Sequence, residues 1–290
     1  MKLPVAVVLL VGSFGLEADL GAQEWIKFET IDQSALPIVR SRLNGMGPHR
    51  LVIDVSFKEL ALDTLIVEGS GMELLSRGEE EEIEYYGRKE KVPVRYLQTL
   101  QLGGATFQLV RTLLIDGEDA TGMGGLRSYG RIGRDVLETL RLTVHYPRRL
   151  LLLEPSPSEV PPGGVTYTSA GRFLLIPVRL EREGEGVTED VDVEVNLVVD
   201  AGTSNTVLDR RWAADAGFAK KKASQTVIPK FSVGAFSTEG LPVLLGEMHE
   251  LPYDGKPMGV IGADLLNRIS VSYDFARDLV WLKRVEKDAS

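Results

Sequence analysis

The chain has 290 residues, 43% of them hydrophobic and 26% charged, with 33 Lys and Arg against 42 Asp and Glu for a formal net charge of -9. That length and mixture describe a globular protein with room for two cores, and the acidic balance offers no basic stripe to a nucleic-acid backbone, so no nucleic-acid partner is expected. No cysteine occurs, which excludes disulfides, thiolate nucleophiles and cysteine-bound zinc.

In chain order, Met1-Lys2-Leu3-Pro4 and the apolar run to Leu16 have the charged start and short hydrophobic middle of a secretory leader. The run is too short to span a bilayer, so no stable membrane insertion is expected. Gly21-Ala22 supplies small residues for cleavage, which predicts a leader over 1–22 and an exported mature chain from Gln23.

Ile38-Val39 reads as part of an early strand, and Asn44 to Pro48 as a turn. The apolar run Leu51-Val52-Ile53 then ends in Asp54. Glu79 to Glu82 forms a block of like charges expected on a solvated edge. It leads into a predicted hairpin whose tip runs from Tyr85 through Tyr86 and Gly87 to Lys89, with Val92-Pro93-Val94 on the return. Short strands follow at Tyr96 to Leu102 and Phe107 to Ile115, with a turn at Gly103-Gly104; Thr121 to Tyr129 reads as a loop. Gly130-Arg131-Ile132-Gly133-Arg134-Asp135-Val136-Leu137 is a glycine turn opening a short helix, followed by strand, turn and strand to Leu153.

Residues 155–164 are rich in Pro, Ser and Gly and mark a linker between a lobe over 23–154 and a second over 165–287. Beyond it, Phe173 to Leu180 and Val191 to Val199 read as strands, and the second delivers Asp200 into Ala201-Gly202-Thr203-Ser204. Asp209 is placed to cap a helix through Ala216 that stops at Gly217. Gly259-Val260-Ile261-Gly262-Ala263-Asp264-Leu265-Leu266 then matches the Gly130 segment almost position for position, and strand-turn-strand closes the second half. The same ordered signature therefore occurs twice, at a spacing that fits a duplicated domain rather than a solenoid.

An apolar strand ending in Asp, paired with a downstream Gly-x-Ile-Gly-x-Asp-x-Leu segment in each half, resembles the retropepsin-like and pepsin-like aspartic proteases, over nearly all of the mature chain. The resemblance implies an all-β fold of two similar β-barrel lobes with short helices in a monomer, and an aspartic endopeptidase acting on peptide or protein substrates. It implies Asp54 and Asp200 as the paired catalytic acids, with Gly202, Thr203 and the flap residues Tyr85, Tyr86 and Gly87 around the substrate. Two carboxylates suit that chemistry because one group takes a proton from water while the other protonates the carbonyl. The intermediate is non-covalent, and no metal or organic cofactor is expected.

The first turn departs from the pattern. It reads Asp54-Val55-Ser56-Phe57, with Ser56 where the family has glycine and no hydroxyl at Val55, and Ala201 lacks the hydroxyl in the second. A non-glycine residue there is expected to strain the turn and misplace Asp54. The alternative that follows is a catalytically inactive pseudo-protease that grips an extended peptide without cutting it. Other chemistries lack their residues: no Gly-x-Ser-x-Gly elbow lies in the mature chain, and His49, His145 and His249 are too isolated to form a metal site. Asp135 and Asp264 read as helix-start caps.

Overall fold

A computed structural model of the chain describes residues 18–20, 24–31, 33–85, 88–116, 128–170, 173–182, 191–248 and 257–285. These form two compact units. One comprises Leu36–Leu142 and Arg149–Ser156 with the described residues ahead of Gln33; the other comprises Gln33–Ala35, Thr143–Arg148 and the described residues from Pro157 onward.

The first unit contains β1 (Ala18–Leu20), β2 (Ile26–Lys27), β3 (Ile38–Leu43), β4 (Met46–Ile53), β5 (Leu60–Asp63), β6 (Leu75–Tyr85), β7 (Arg88–Leu102), β8 (Ala105–Ile115) and β9 (Gly130–Ile132). Neighbours run β8-β5-β9-β4-β3-β7, and β7 pairs back onto β8, so six strands close into a barrel with β1 and β6 added outside. After β10 (Leu140–His145) and β11 (Leu150–Pro155), the chain forms β12 (Val165–Thr166), β13 (Thr168–Ala170), β14 (Phe173–Arg182), β15 (Val191–Val199), β16 (Val207–Asp209), β17 (Gln225–Val233), β18 (Phe236–Gly246), β19 (Gly259–Ile261), β20 (Ile269–Asp274) and β21 (Leu279–Arg284). Here the ring is β14-β15-β19-β16-β18-β17, closed by β17 on β14.

The two barrels repeat strand sense as well as order. β4 lies parallel to β9, β5 antiparallel to β9 and parallel to β8; β15, β16, β18 and β19 reproduce each relation. The fold is therefore the expected all-β, two-barrel architecture, and the sequence repeat is a repeat of topology. Closing each sheet pairs the strands of its ring in succession and so satisfies most of their backbone.

Local sequence explains the strands that matter to the site. Leu51, Val52 and Ile53 are all buried, as are Leu197, Val198 and Val199. Such runs do not alternate because both faces of the strand are covered. Strands with one wet face do alternate, as in β10, where Leu140, Leu142 and Val144 are buried and the residues between them half-exposed. Val198 joins Phe173, Leu175, Met248 and Val260 in one core cluster, while Phe57, Ala61, Val92, Val94, Leu113 and Ile115 form another.

Several local expectations change. The turn after β3 is only Asn44-Gly45, both at positive φ (49° and 77°), and Met46 to Pro48 already belong to β4. Two successive left-handed residues match the twist of a tight hairpin. The hairpin return and the strand expected from Tyr96 to Leu102 are one: β7 runs unbroken through Pro93, which lies opposite Glu80 where β6 shifts register. A bulge tolerates a residue without an N–H. Of the glutamate block on outer strand β6, Glu79, Glu80 and Glu82 are exposed and Glu81 half-buried, pairing with Arg111.

Helix Arg210–Asp215 is capped by Asp209, whose side chain accepts from the Trp212 N–H, and Gly217 follows at φ 76°. Neither Asp135 nor Asp264 is a helix cap. Gly133 and Gly262 hold those positions, and Asp264 instead accepts from the Thr206 N–H (2.8 Å) and hydroxyl (2.7 Å).

The Pro-rich segment is anchored at its far end, where Trp281 Nε1 donates to Pro161 O (3.1 Å) and Ala235 N to Gly163 O (3.1 Å). Two short stretches from the first half pack within the second unit: Ala35 N donates to Ala201 O (2.7 Å), and Ser270 Oγ to Val144 O (3.3 Å). Among the described residues no helix is long and apolar enough to cross a membrane.

Candidate active site

Asp54 follows the last residue of β4 and Asp200 the last residue of β15. Each backbone N–H donates to the strand alongside, Asp54 N to Ile132 O (3.0 Å) and Asp200 N to Ile261 O (3.1 Å). Each following turn is then laced to the glycine segment of its own lobe. Arg134 N donates to Phe57 O (3.0 Å) and Asp135 N to Lys58 O (2.8 Å); Ala263 N donates to Thr203 O (2.8 Å) and Asp264 N to Ser204 O (3.1 Å). The acids thus occupy equivalent places on equivalent hydrogen-bond frames.

The glycines of the repeated segment are required by close approach. A Cβ at Gly130 would collide with the Ala61 carbonyl oxygen and one at Gly133 with that of Glu59; Gly259 and Gly262 meet the carbonyls of Val207 and Asn205 in the same way. Backbone this tightly packed fixes where the strand-end carboxylate points.

In the second lobe, Gly202 N donates to Asp200 Oδ1 (2.8 Å) and Thr203 Oγ1 to Oδ2 (2.9 Å). Gly202 and Thr203, expected at the site, are therefore in contact with the acid; Ser204 contributes its carbonyl to the frame rather than its hydroxyl to Asp200. Below the turn the buried Thr206 donates to Asp264 and accepts from Gly262 N (3.2 Å). Burial pushes the phenol of Tyr146 above its ordinary range, and the nearby Asp200 charge adds to the effect.

The first lobe solves the same problem differently. Ser56 N donates to Asp54 Oδ1 (3.0 Å), as Gly202 does to Asp200, and the Ser56 hydroxyl adds a second bond to that oxygen (2.5 Å). Ser56 is not among the residues at positive φ, so serine in the glycine position does not strain the turn, contrary to the expectation from sequence. The residue aligned with Thr203 is Phe57, which is buried in the core and has no hydroxyl to offer. Asp54 Oδ2 is taken by Arg131, whose Nη1 lies 2.9 Å away with both side chains buried (10% and 7% exposed). In the second lobe the position of Arg131 is held by Val260.

Arg131 is thus the site residue that sequence reading missed. Its signal was present: the variable position of Gly-x-Ile-Gly is apolar in one half and cationic in the other, and a cation on a buried strand calls for an acid partner. At the hairpin expected to be a flap, Tyr85 ends β6 and pairs with Arg88 of β7, so the hairpin is present; Tyr86 and Gly87 lie outside the described residues. No group of His, Asp and Glu suited to a metal ion occurs among the described residues.

No protein-family model matches the sequence, and no curated protein matches it. Among solved structures, the chain is similar to an aspartic proteinase from Irpex lacteus, with a TM-score of 0.55 over 91% of this chain and 98% of that one, at 12% identity. At that identity the likeness is one of fold.

Proposed function

We propose that the chain is an aspartic-type endopeptidase in which Asp54 and Asp200 together activate a water for attack on a peptide carbonyl. The observation that carries this reading is the pair of matched turns: each lobe ends the same strand in a carboxylate and holds one oxygen of it with the N–H two residues on. One acid takes the water proton while the other protonates the carbonyl oxygen, giving a tetrahedral diol without a covalent enzyme intermediate. The β6–β7 hairpin acts as the flap over the substrate. The protein works outside the cytoplasm after removal of residues 1–22, which takes away β1 and its pairing with β8 but none of the six strands of the barrel ring, and amino-terminal sequencing of the exported product should begin at Gln23.

The test is digestion of an unfolded protein from acidic to neutral pH by the wild type and by Asp54→Asn and Asp200→Asn. Each substitution is expected to lower kcat by about 10²- to 10⁴-fold, the usual worth of a positioned acid or base. Cleavage that survives both variants rules out the mechanism.

A second reading, peptide binding without cleavage, is favoured by the buried Arg131–Asp54 ion pair, which sets a cation on the first acid where Thr203 gives the second acid only a neutral hydroxyl. It predicts saturable binding of an unfolded peptide by the wild type with no new amino termini released.

A further inference from the structure

We propose that a cleft ringed by Arg148, Arg268 and Arg284 in the second unit is a docking site for an acidic, extended segment of another polypeptide. The cleft holds about 850 Å³. Its lining includes none of the residues of either aspartate turn, so the inference goes beyond the peptidase reading and does not depend on it.

Charge is the first argument. On a chain of net charge -9, three guanidinium groups face one cleft in which, among the described residues, Glu239 is the single carboxylate of the lining. All three arginines are exposed, while Phe236, Leu265 and Ile269 beneath them are buried at 5%, 2% and 2%. Arg284 is fixed across the cleft by donating to Ser237 O (3.0 Å). Planar guanidinium groups so arranged suit carboxylates, which they bind in two-point fashion.

Backbone is the second argument, and it selects an extended peptide over other anions. β18 pairs with β17 from Val233↔Phe236 to Gln225↔Leu244, but it meets β16 only from Leu244 onward. Over Phe236 to Val243 its other edge has no strand partner among the described residues, and the start of that stretch lines the cleft. An open edge beside a charged cleft is the arrangement used for strand addition, in which main-chain bonds give affinity and side chains give selectivity.

The experiment uses the full chain and a fluorescent peptide of alternating valine and glutamate, followed by anisotropy. The peptide is expected to bind the wild type and Asp200→Asn alike, which separates this site from the peptidase reading. Arg148→Glu/Arg268→Glu changes two exposed positions, and a thermal melt checks its fold; it should weaken binding by roughly tenfold or more. N-methylation of alternate peptide amides should weaken it similarly by removing the edge bonds. No binding to the wild type, unchanged affinity for the doubly reversed chain or the methylated peptide, or equally tight binding of a single-stranded oligonucleotide overturns the proposal.

Discussion

At the scale of single residues, the two aspartates show how one geometric requirement is met by different chemistry. Each carboxylate must have its oxygens satisfied because it sits at a strand end against packed backbone. Thr203 satisfies Oδ2 of Asp200 with a neutral hydroxyl, whereas Arg131 satisfies Oδ2 of Asp54 with a charge. The changes go together: Phe57 and Arg131 in one lobe, Thr203 and Val260 in the other. Removing one member of a buried pair strands the other, so Arg131→Val should cost about 3–5 kcal/mol of unfolding free energy. The double variant Asp54→Ala/Arg131→Val leaves no buried charge and should be more stable than Arg131→Val alone. Urea denaturation of the wild type, the two single variants Asp54→Ala and Arg131→Val, and the double variant checks this, and additive losses would mean that the pair is not coupled.

At the scale of elements, the glycine segments do the positioning. Each begins as a strand parallel to the aspartate strand and continues as a short helix whose first N–H groups bind the turn. Gly262→Ala would drive a Cβ into the Asn205 carbonyl, with rigid backbone on both sides. The expected cost is about 1–3 kcal/mol, as for other overpacked sites. Gly69 lies in the helix Thr64–Ser70 with open space where its Cβ would be. Gly69→Ala should therefore raise stability by about 0.4–1 kcal/mol. Thermal melts of the two variants should move in opposite directions; a shift of the same sign in both would refute the packing argument.

At the scale of the whole molecule, pH enters through a charged cluster at the base of the first aspartate turn. Glu59 is nearly buried, 3.5 Å from Arg111 and 3.7 Å from Lys58. Burial raises its pKa above the ordinary 4.5 despite those cations, and Asp135 is raised by burial as well. A raised carboxyl binds more protons folded than unfolded, so stability falls as pH rises from the ordinary value through the folded one, and is level above it. Glu59→Gln removes that group and should flatten the decline, read as urea midpoints across the acid range. An unchanged slope would show that Glu59 is not its source.

The sequence by itself determined the duplication, the strand-end aspartates and the paired glycine segments, because an apolar run ending in a charge and a glycine at fixed spacing are local patterns that only a few backbone arrangements satisfy. It also placed the Asp209 cap and the β6–β7 hairpin. Only the tertiary structure decided what each aspartate touches. Arg131 is 77 residues from Asp54 in the chain, and they meet because β9 is laid parallel to β4, a pairing that depends on the barrel closing. The same is true of Ser56, which is innocuous because the observed turn needs no left-handed backbone there, and of Thr206 and Asp264, joined across 58 residues. Barrel closure, which brings distant strands side by side, fixes partners that no local pattern can name.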